Sequence, residues 1–145
     1  MHPYPHLYTA SASAAPTGNV VVASPGLVDI ETAPPAEFDG PGDVWSPETL
    51  LCASIADCFI LTFRAIAKTS GIAWSELGCR VEGVLEKTSS GTRFTRYTTY
   101  ATLTLSGAAD GAKARALLEK AERLCLISNS LNGVRSLVAE IREAA

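Results

Sequence analysis

The sequence contains no CxxC pair, and its only two histidines, His2 and His6, lie within the first six residues. Structural zinc sites use cysteine and histidine at short, regular spacings, so this distribution argues against a metal site. It also argues against a cysteine protease, because the nucleophile of such an enzyme needs a histidine as general base. We therefore predict no metal and no bound cofactor.

Basic residues are also few: 12 lysines and arginines stand against 15 acidic residues, for a net charge of −3. Without a basic excess, we expect no nucleic-acid or anionic-membrane partner. No uninterrupted apolar run reaches the ~20 residues of a membrane span. The start, MHPYPHLYTASASAAP, lacks the charged beginning and apolar centre of a signal peptide. We expect a cytoplasmic protein, in which permanent disulfides among the four cysteines would be unusual.

The length of 145 residues predicts a single domain, 1–145, with a flexible tail at 1–7. No internal repeat is visible. Hydrophobic periodicity and turn residues predict strands at 19–24 and 27–31, a helix at 47–70, and strands at 76–87 and 93–105 joined by a hairpin turn. A second helix, capped by Asp110, runs to about residue 126, and a last strand follows at 134–143, whose pattern would also permit a helix. This order predicts an α+β domain.

The first predicted helix has clear boundary signals. Ser46 is a suitable cap, Pro47 suits the first helical position, and Glu48 complements the positive helix start. Gly71 ends the helix. Its central segment, LLCASIADCFILTF, is apolar on more than one face, so we expect a central helix that is covered all round.

The four cysteines divide into two groups. Cys52 and Cys79 fit the core as small buried hydrophobic residues. For Cys58 and Cys125, the pattern leaves two interpretations open. They are core residues as well, or they are two thiols that tertiary structure brings together. Such a pair has redox chemistry: a thiolate attacks a peroxide to form a sulfenic acid, and a second thiol converts this to a disulfide.

Two stretches resemble the OsmC/Ohr superfamily of thiol-dependent hydroperoxide reductases. They are FDGPGDVWSPETLLCASIADCFILTFRAIA and AERLCLISNSL, which resemble the family's Pro-Glu…Cys-Phe helix and its Cys-Pro-Val-Ser-Asn motif. The resemblance covers about residues 8–142. It implies an OsmC-like α+β fold, with antiparallel sheets packed around a long central helix, in an intertwined homodimer. It also implies reduction of organic hydroperoxides, with an external dithiol such as a lipoyl protein or a thioredoxin-like protein as reductant.

The resemblance assigns catalytic roles to three residues. Cys58 matches the peroxide-attacking cysteine, Cys125 the resolving cysteine, and Glu48 the glutamate that orients a catalytic arginine. The arginine itself is missing, because the matching stretch reads AAPTG and places Pro16 there. Proline offers neither charge nor donor.

No lysine or arginine precedes Arg64 in the chain. Candidate replacements for the arginine are Arg64, Arg93 and Arg96, from the same subunit or a second one. Leu126 and Ile127 replace the Pro-Val of the family motif. Apolar neighbours such as Trp45, Phe59, Phe63 and Leu126 would suit an organic peroxide better than hydrogen peroxide.

The sequence is compatible with three hypotheses. The first is a thiol peroxidase that uses Cys58 and Cys125. The second is a non-catalytic OsmC-like protein that binds a small apolar ligand or serves as a dimeric scaffold, and Pro16 favours it. The third is an unrelated fold in which all the cysteines are core residues, and it predicts that the sulfurs of Cys58 and Cys125 are far apart.

Overall fold

A computed structural model describes residues 1–144, which form two compact units. The first unit is Met1–Leu50, and the second begins at Leu51. The boundary falls within a continuous helix, and a single domain over 1–145 stays a prediction. The first unit contains a small antiparallel sheet in the order β1-β2-β3, built from β1 (Ser11–Ser13), β2 (Val20–Ala23) and β3 (Ile30–Thr32). The sequence predicted β2 and β3 but not β1.

The proline-rich loop after β3 folds back on itself. It contains a 3-10 helix at Ala36–Phe38, and Ala33 donates a 2.9 Å hydrogen bond to the carbonyl of Trp45. A side chain at Gly40 is impossible in this turn, because a Cβ there would lie 1.6 Å from the carbonyl oxygen of Pro34. The loop ends at Ser46, directly before the long helix.

Helix α1 spans Pro47–Ser70, as predicted. The hydroxyl of Ser46 accepts a hydrogen bond from the amide of Thr49 (3.2 Å), and the Thr49 hydroxyl accepts one from the Ser46 amide (2.9 Å). Two amides near the helix start are thus satisfied by side chains. At the other end, Gly71 takes a left-handed φ of 70° and donates to the carbonyl of Ala67. This conformation is costly for any residue with a Cβ.

The second unit contains a mixed sheet in the order β4-β5-β6, formed by β4 (Trp74–Thr88), β5 (Gly91–Leu105) and β6 (Val134–Glu143). β4 and β5 form the predicted antiparallel hairpin, but β5 and β6 are parallel. The expectation of antiparallel sheets is therefore wrong for the β5–β6 pair, whereas the α+β fold with two sheets and a long helix is confirmed. Parallel neighbours need a long crossover connection, and the helices between β5 and β6 provide it.

The crossover consists of α2 (Gly111–Leu124) and a single turn, α3 (Leu126–Asn129). The Asp110 carboxylate caps α2 as predicted, accepting from the amides of Ala112 and Lys113. The predicted single helix to residue 126 is wrong, because the chain breaks at Cys125. Its ψ of 110° is extended, so Cys125 ends α2 and begins α3.

The core of the second unit lies between the β4-β5-β6 sheet and the two longer helices. Its buried residues are Phe59, Phe63, Ala67, Leu77, Ala101, Leu103, Leu105, Ala114, Leu118 and Ala121. Phe63 packs edge-on against Trp74, with ring centroids 5.3 Å apart. This contact joins α1 to the first strand of the sheet.

Helix α1 buries only one stripe, formed by Ile55, Phe59, Phe63 and Ala67. Leu61 is 52% exposed. Within one chain, the expectation that α1 is covered all round is therefore wrong. By length and composition α1 could span a membrane, so the expectation that no segment is long enough for this is wrong. In the most apolar 18-residue window of α1, 22% of the residues are buried. The same length and composition occur in core helices of soluble proteins.

Candidate thiol site

The structure places Cys58 and Cys125 side by side. Cys58 lies on α1 and is half-buried, whereas Cys125 is 1% exposed at the junction of α2 and α3. The Cys58 side chain is one of the groups that raise the pKa of the Cys125 thiol, so the two side chains are close neighbours. The Cys125 thiol also points at the carbonyl oxygen of Ile55, 3.9 Å away and three residues before Cys58. Residues three apart share a helix face, so both observations place Cys125 against the same side of α1.

Opposing influences act on the Cys125 thiol. Burial raises its pKa most, and two hydrogen bonds from Ser128, one from the side chain and one from the backbone, lower it. The neighbouring Cys58 raises the pKa further. The Ser128 hydroxyl lies 3.3 Å from the Cys125 sulfur and donates to it. Cys125 is thus a buried thiol with a raised pKa and one neutral donor available to stabilise its thiolate.

A cluster of polar groups holds the backbone on both sides of Cys125. Arg135, at the start of β6, donates from Nε to the Glu122 carboxylate (2.7 Å) and from a terminal nitrogen to the Asn129 side-chain oxygen (2.6 Å). Its other terminal nitrogen donates to the Glu122 carbonyl oxygen. The side chains of Arg135 and Glu122 are only 24% and 19% exposed. One guanidinium therefore bonds residues three before and four after Cys125.

Sequence reasoning found neither Ser128 nor Arg135. Ser128 lies in the motif that resembles the family's, three residues after Cys125, and this spacing on a helical turn was an available signal. Nothing in the sequence pairs Arg135 with Glu122, because the contact depends on β6 returning beside α2. Both residues emerge only from the tertiary structure.

The other two cysteines lie on or near the sheet. Cys79 packs against the core from β4, and burial, with a smaller contribution from Cys125, raises its pKa to about 11. Cys52 lies close to Gly83, where an added Cβ would be 3.1 Å from its sulfur. Burial raises the pKa of Cys52 as well, against a hydrogen bond from the Gly83 backbone. Both residues are only partly buried, so the prediction that they are buried core residues is wrong in degree, and all four cysteines are free thiols.

Within residues 1–144, no lysine or arginine makes a hydrogen bond to a cysteine sulfur. The three arginines considered as replacements, Arg64, Arg93 and Arg96, are exposed. Pro16 is exposed in the connection between β1 and β2. No replacement for the missing arginine is therefore visible among the described residues of this chain.

Glu48 lies in the first turn of α1, and its surroundings are unusual for a carboxylate. Its Oε2 atom is buried and has no hydrogen-bond partner among residues 1–144. A buried carboxylate oxygen normally has a donor, and an unsatisfied polar atom of this kind costs about 1–3 kcal/mol. The Oε2 atom of Glu48 is thus a buried acceptor without a donor in the described part of the chain.

The predicted apolar lining of the site is mostly wrong. Phe59 and Phe63 are at most 1% exposed and belong to the core, where they are inaccessible to a ligand. Trp45 is 50% exposed and Leu126 is 70% exposed. Leu126 directly follows Cys125, so an exposed apolar surface does begin next to the buried thiol.

Comparison with known proteins identifies the family. The model of the family described as OsmC-like protein matches residues 40–137. The chain belongs to the OsmC family. It is 31% identical, over 102 residues and 68% of each chain, to an uncharacterized protein, YmaD, of Bacillus subtilis.

Solved OsmC structures confirm the α+β fold with two sheets and a long helix. An OsmC-like protein of unknown function from Vibrio cholerae superposes with a TM-score of 0.86 at 16% identity, over 93% of this chain and 99% of that one. An organic hydroperoxide resistance protein OsmC from Legionella pneumophila gives 0.75 at 25% identity, over 97% and 99%. The organic hydroperoxide resistance protein OhrB of Bacillus subtilis gives 0.67 at 21% identity, over 94% and 98%.

Proposed function

We propose that this OsmC-family protein reduces organic hydroperoxides through Cys58 and Cys125. The observation that carries the proposal is the proximity of a half-buried thiol on α1 to a buried thiol at the α2–α3 junction. Family membership supports peroxide-related redox chemistry in general, and two relatives of similar fold are organic hydroperoxide resistance proteins.

The proposed reaction uses the two thiols in sequence. The Cys58 thiolate attacks one peroxide oxygen, the O–O bond breaks, and the alcohol leaves with a proton, which makes Cys58 a sulfenic acid. Cys125 then attacks the Cys58 sulfur, and the hydroxyl group leaves as water with the Cys125 proton. An external dithiol reduces the resulting disulfide to two thiols and is itself oxidised. Lipoyl and thioredoxin-like proteins are candidate reductants.

The proposal requires a cation that residues 1–144 do not place at either thiol. We propose that Glu48 positions this cation and that a second copy of the chain provides it. The unpartnered Oε2 of Glu48 supports a missing donor. The exposed apolar surface of α1, including Leu61, supports a homodimer, because such a surface is costly to leave in water.

A second candidate function is a non-catalytic role, in which the protein binds a small apolar ligand or serves as a dimeric scaffold. The observations that favour it are Pro16 in place of the expected arginine and the lack of any basic side chain bonded to a thiol within residues 1–144. Without a nearby cation the thiolate loses its main electrostatic stabilisation, and a neutral thiol is a poor nucleophile.

A peroxide-consumption assay separates the two functions. Cumene hydroperoxide is supplied with dihydrolipoamide, and the loss of peroxide is measured for the wild type and for Cys58→Ser, Cys125→Ser and Cys79→Ser. The peroxidase proposal predicts turnover in the wild type and in Cys79→Ser, and none in Cys58→Ser. Cys125→Ser should consume about one equivalent and then stop turning over. A wild type whose thiols react no faster than a free thiol would support the non-catalytic function instead.

A further inference from the structure

The break between α2 and α3 leaves Cys125 with little local support. Its amide donates to the Glu122 carbonyl at 3.4 Å, at the long end of hydrogen-bond distances, and its extended ψ of 110° interrupts the helix. The next bond in the ladder, from the Asn129 amide to the Cys125 carbonyl, is 3.0 Å long and belongs to α3. The position of the sulfur therefore depends on how α2 and α3 are held together.

Arg135 makes this connection from outside the crossover. Its guanidinium bonds the Glu122 carboxylate and carbonyl on the α2 side and the Asn129 side chain on the α3 side. Asn129 in turn donates to the Arg123 carbonyl at 3.1 Å, which closes a ring of hydrogen bonds around Cys125. A planar guanidinium suits this task, because its donors have a fixed geometry that a lysine ammonium cannot reproduce.

The ring of bonds has a consequence for thiol chemistry. A disulfide requires its two Cα atoms about 4.4–6.8 Å apart and a defined torsion, so small shifts of either thiol reduce the fraction of productive geometries. Cys58 is fixed on a regular helix, whereas Cys125 sits at a helix break. The residue that fixes the break therefore controls how readily the two sulfurs join.

We propose that Arg135, through Glu122 and Asn129, is a positioning residue that holds Cys125 for disulfide formation with Cys58. This proposal rests on the proposed function and adds the residue that controls its second step, in which Cys125 attacks the Cys58 sulfur. Arg135 touches no sulfur and takes no part in electron or proton transfer. Its contribution is to the effective concentration of the Cys125 thiol at Cys58.

The experiment measures that concentration without peroxide. The protein is equilibrated in glutathione redox buffers, quenched with acid and alkylated, and the Cys58–Cys125 disulfide is quantified by peptide mass spectrometry. We expect Arg135→Gln to lower the effective concentration about tenfold, because it removes charge-assisted hydrogen bonds on both sides of the break. Arg135→Lys should fall between this variant and the wild type.

Arg142→Gln is the matched control. Arg142 lies on the same strand and pairs with Glu140 in an exposed ion pair (2.8 Å). The Arg142→Gln variant removes the same charge as Arg135→Gln, but we expect the effective concentration of its Cys125 thiol to equal that of the wild type. If Arg135→Gln does not fold, as judged by circular dichroism, Asn129→Ala replaces it and should lower the value about fivefold, because it removes the two side-chain hydrogen bonds of Asn129, with Arg135 and with the Arg123 carbonyl.

Wild-type values in Arg135→Gln, or in Asn129→Ala where it is used, would overturn the positioning role. The result is separate from the fate of the proposed function. A wild type that fails to consume peroxide refutes peroxidase activity and leaves the glutathione equilibrium measurable. An active wild type with an unaffected Arg135→Gln equilibrium refutes the positioning role alone.

Discussion

Ser128 donates a hydrogen bond of 3.3 Å to the sulfur of Cys125, within the single turn of α3. It provides the main opposition to the burial and the Cys58 contact that raise the pKa of the Cys125 thiol. Without a charged donor at this sulfur among residues 1–144, a neutral hydroxyl is what helps the thiolate to form. The Cys125–Ser128 pair thus links local helix geometry to the chemistry proposed for the site.

We predict that Ser128→Ala slows disulfide formation at neutral pH. The variant removes a bond that lowers the pKa of Cys125, so a higher pH is needed for the same thiolate fraction. Loss of one hydrogen bond of about 1 kcal/mol corresponds to a roughly fivefold slower rate. Stopped-flow measurement of disulfide formation across pH 6–10 checks this, with Ser130→Ala as control because the Ser130 hydroxyl bonds the Leu126 carbonyl. Superimposable pH profiles for Ser128→Ala and the wild type would contradict it.

Glu48→Gln should reduce peroxide turnover without destabilising the isolated chain. The Oε2 atom of Glu48 is buried without a partner, so removing its charge relieves a cost to folding. The peroxidase proposal nevertheless needs this carboxylate to hold a cation. Melting temperature and peroxide consumption are measured together, with the exposed Glu37→Gln as control. A variant with full turnover and a lower melting temperature would show that Glu48 is structural only.

Alkaline pH should destabilise the protein through Cys79. Burial raises the pKa of this thiol to about 11 from its usual 9, so the folded state holds the proton more tightly than the unfolded chain. The contribution is complete below about pH 9 and is lost as the pH rises through about 11. Urea unfolding at several pH values should show the free energy of unfolding decreasing over this range. The decrease should be shallower in Cys79→Ala, and an equal slope in both proteins would refute the assignment.

Phe63→Ala tests the packing between α1 and the sheet. Phe63 is 0% exposed and contacts the edge of Trp74, so truncation leaves a cavity in the core. We expect a loss of about 3–5 kcal/mol in the free energy of unfolding. Thr69→Ala, at an exposed position on the same helix, should change it by less than about 0.5 kcal/mol. A Phe63→Ala loss as small as that of Thr69→Ala would contradict the core described above.

Local signals were enough to place α1, and at 134–143 they favoured a strand without excluding a helix. The Ser46 hydroxyl accepts a hydrogen bond from a backbone amide at the start of α1, and Gly71 adopts the left-handed conformation that ends it. The alternating pattern of 134–143 matches β6. β1 was missed because Ser-Ala-Ser has no strand pattern and pairs only because β2 lies beside it. The break at Cys125 was missed because the amphipathic pattern continues through Leu124, which is in fact 47% exposed.

The candidate site was predicted from a resemblance and not from periodicity. Pattern alone left Cys58 and Cys125 as core residues or a redox pair, and only the fold shows that their thiols are neighbours. The hypothesis of an unrelated fold with distant sulfurs is therefore wrong. The role of Arg135 was not predicted, because its contacts with Glu122 and Asn129 form only when β6 pairs in parallel with β5.

Peptide mapping after a single oxidation tests the central claim most directly. The reduced protein is mixed with one equivalent of cumene hydroperoxide, quenched with acid, alkylated and digested. The peroxidase account predicts a disulfide between Cys58 and Cys125, with Cys52 and Cys79 alkylated as free thiols. Recovery of Cys58 as a free thiol after the peroxide has been consumed, or a disulfide that excludes Cys125, would contradict it.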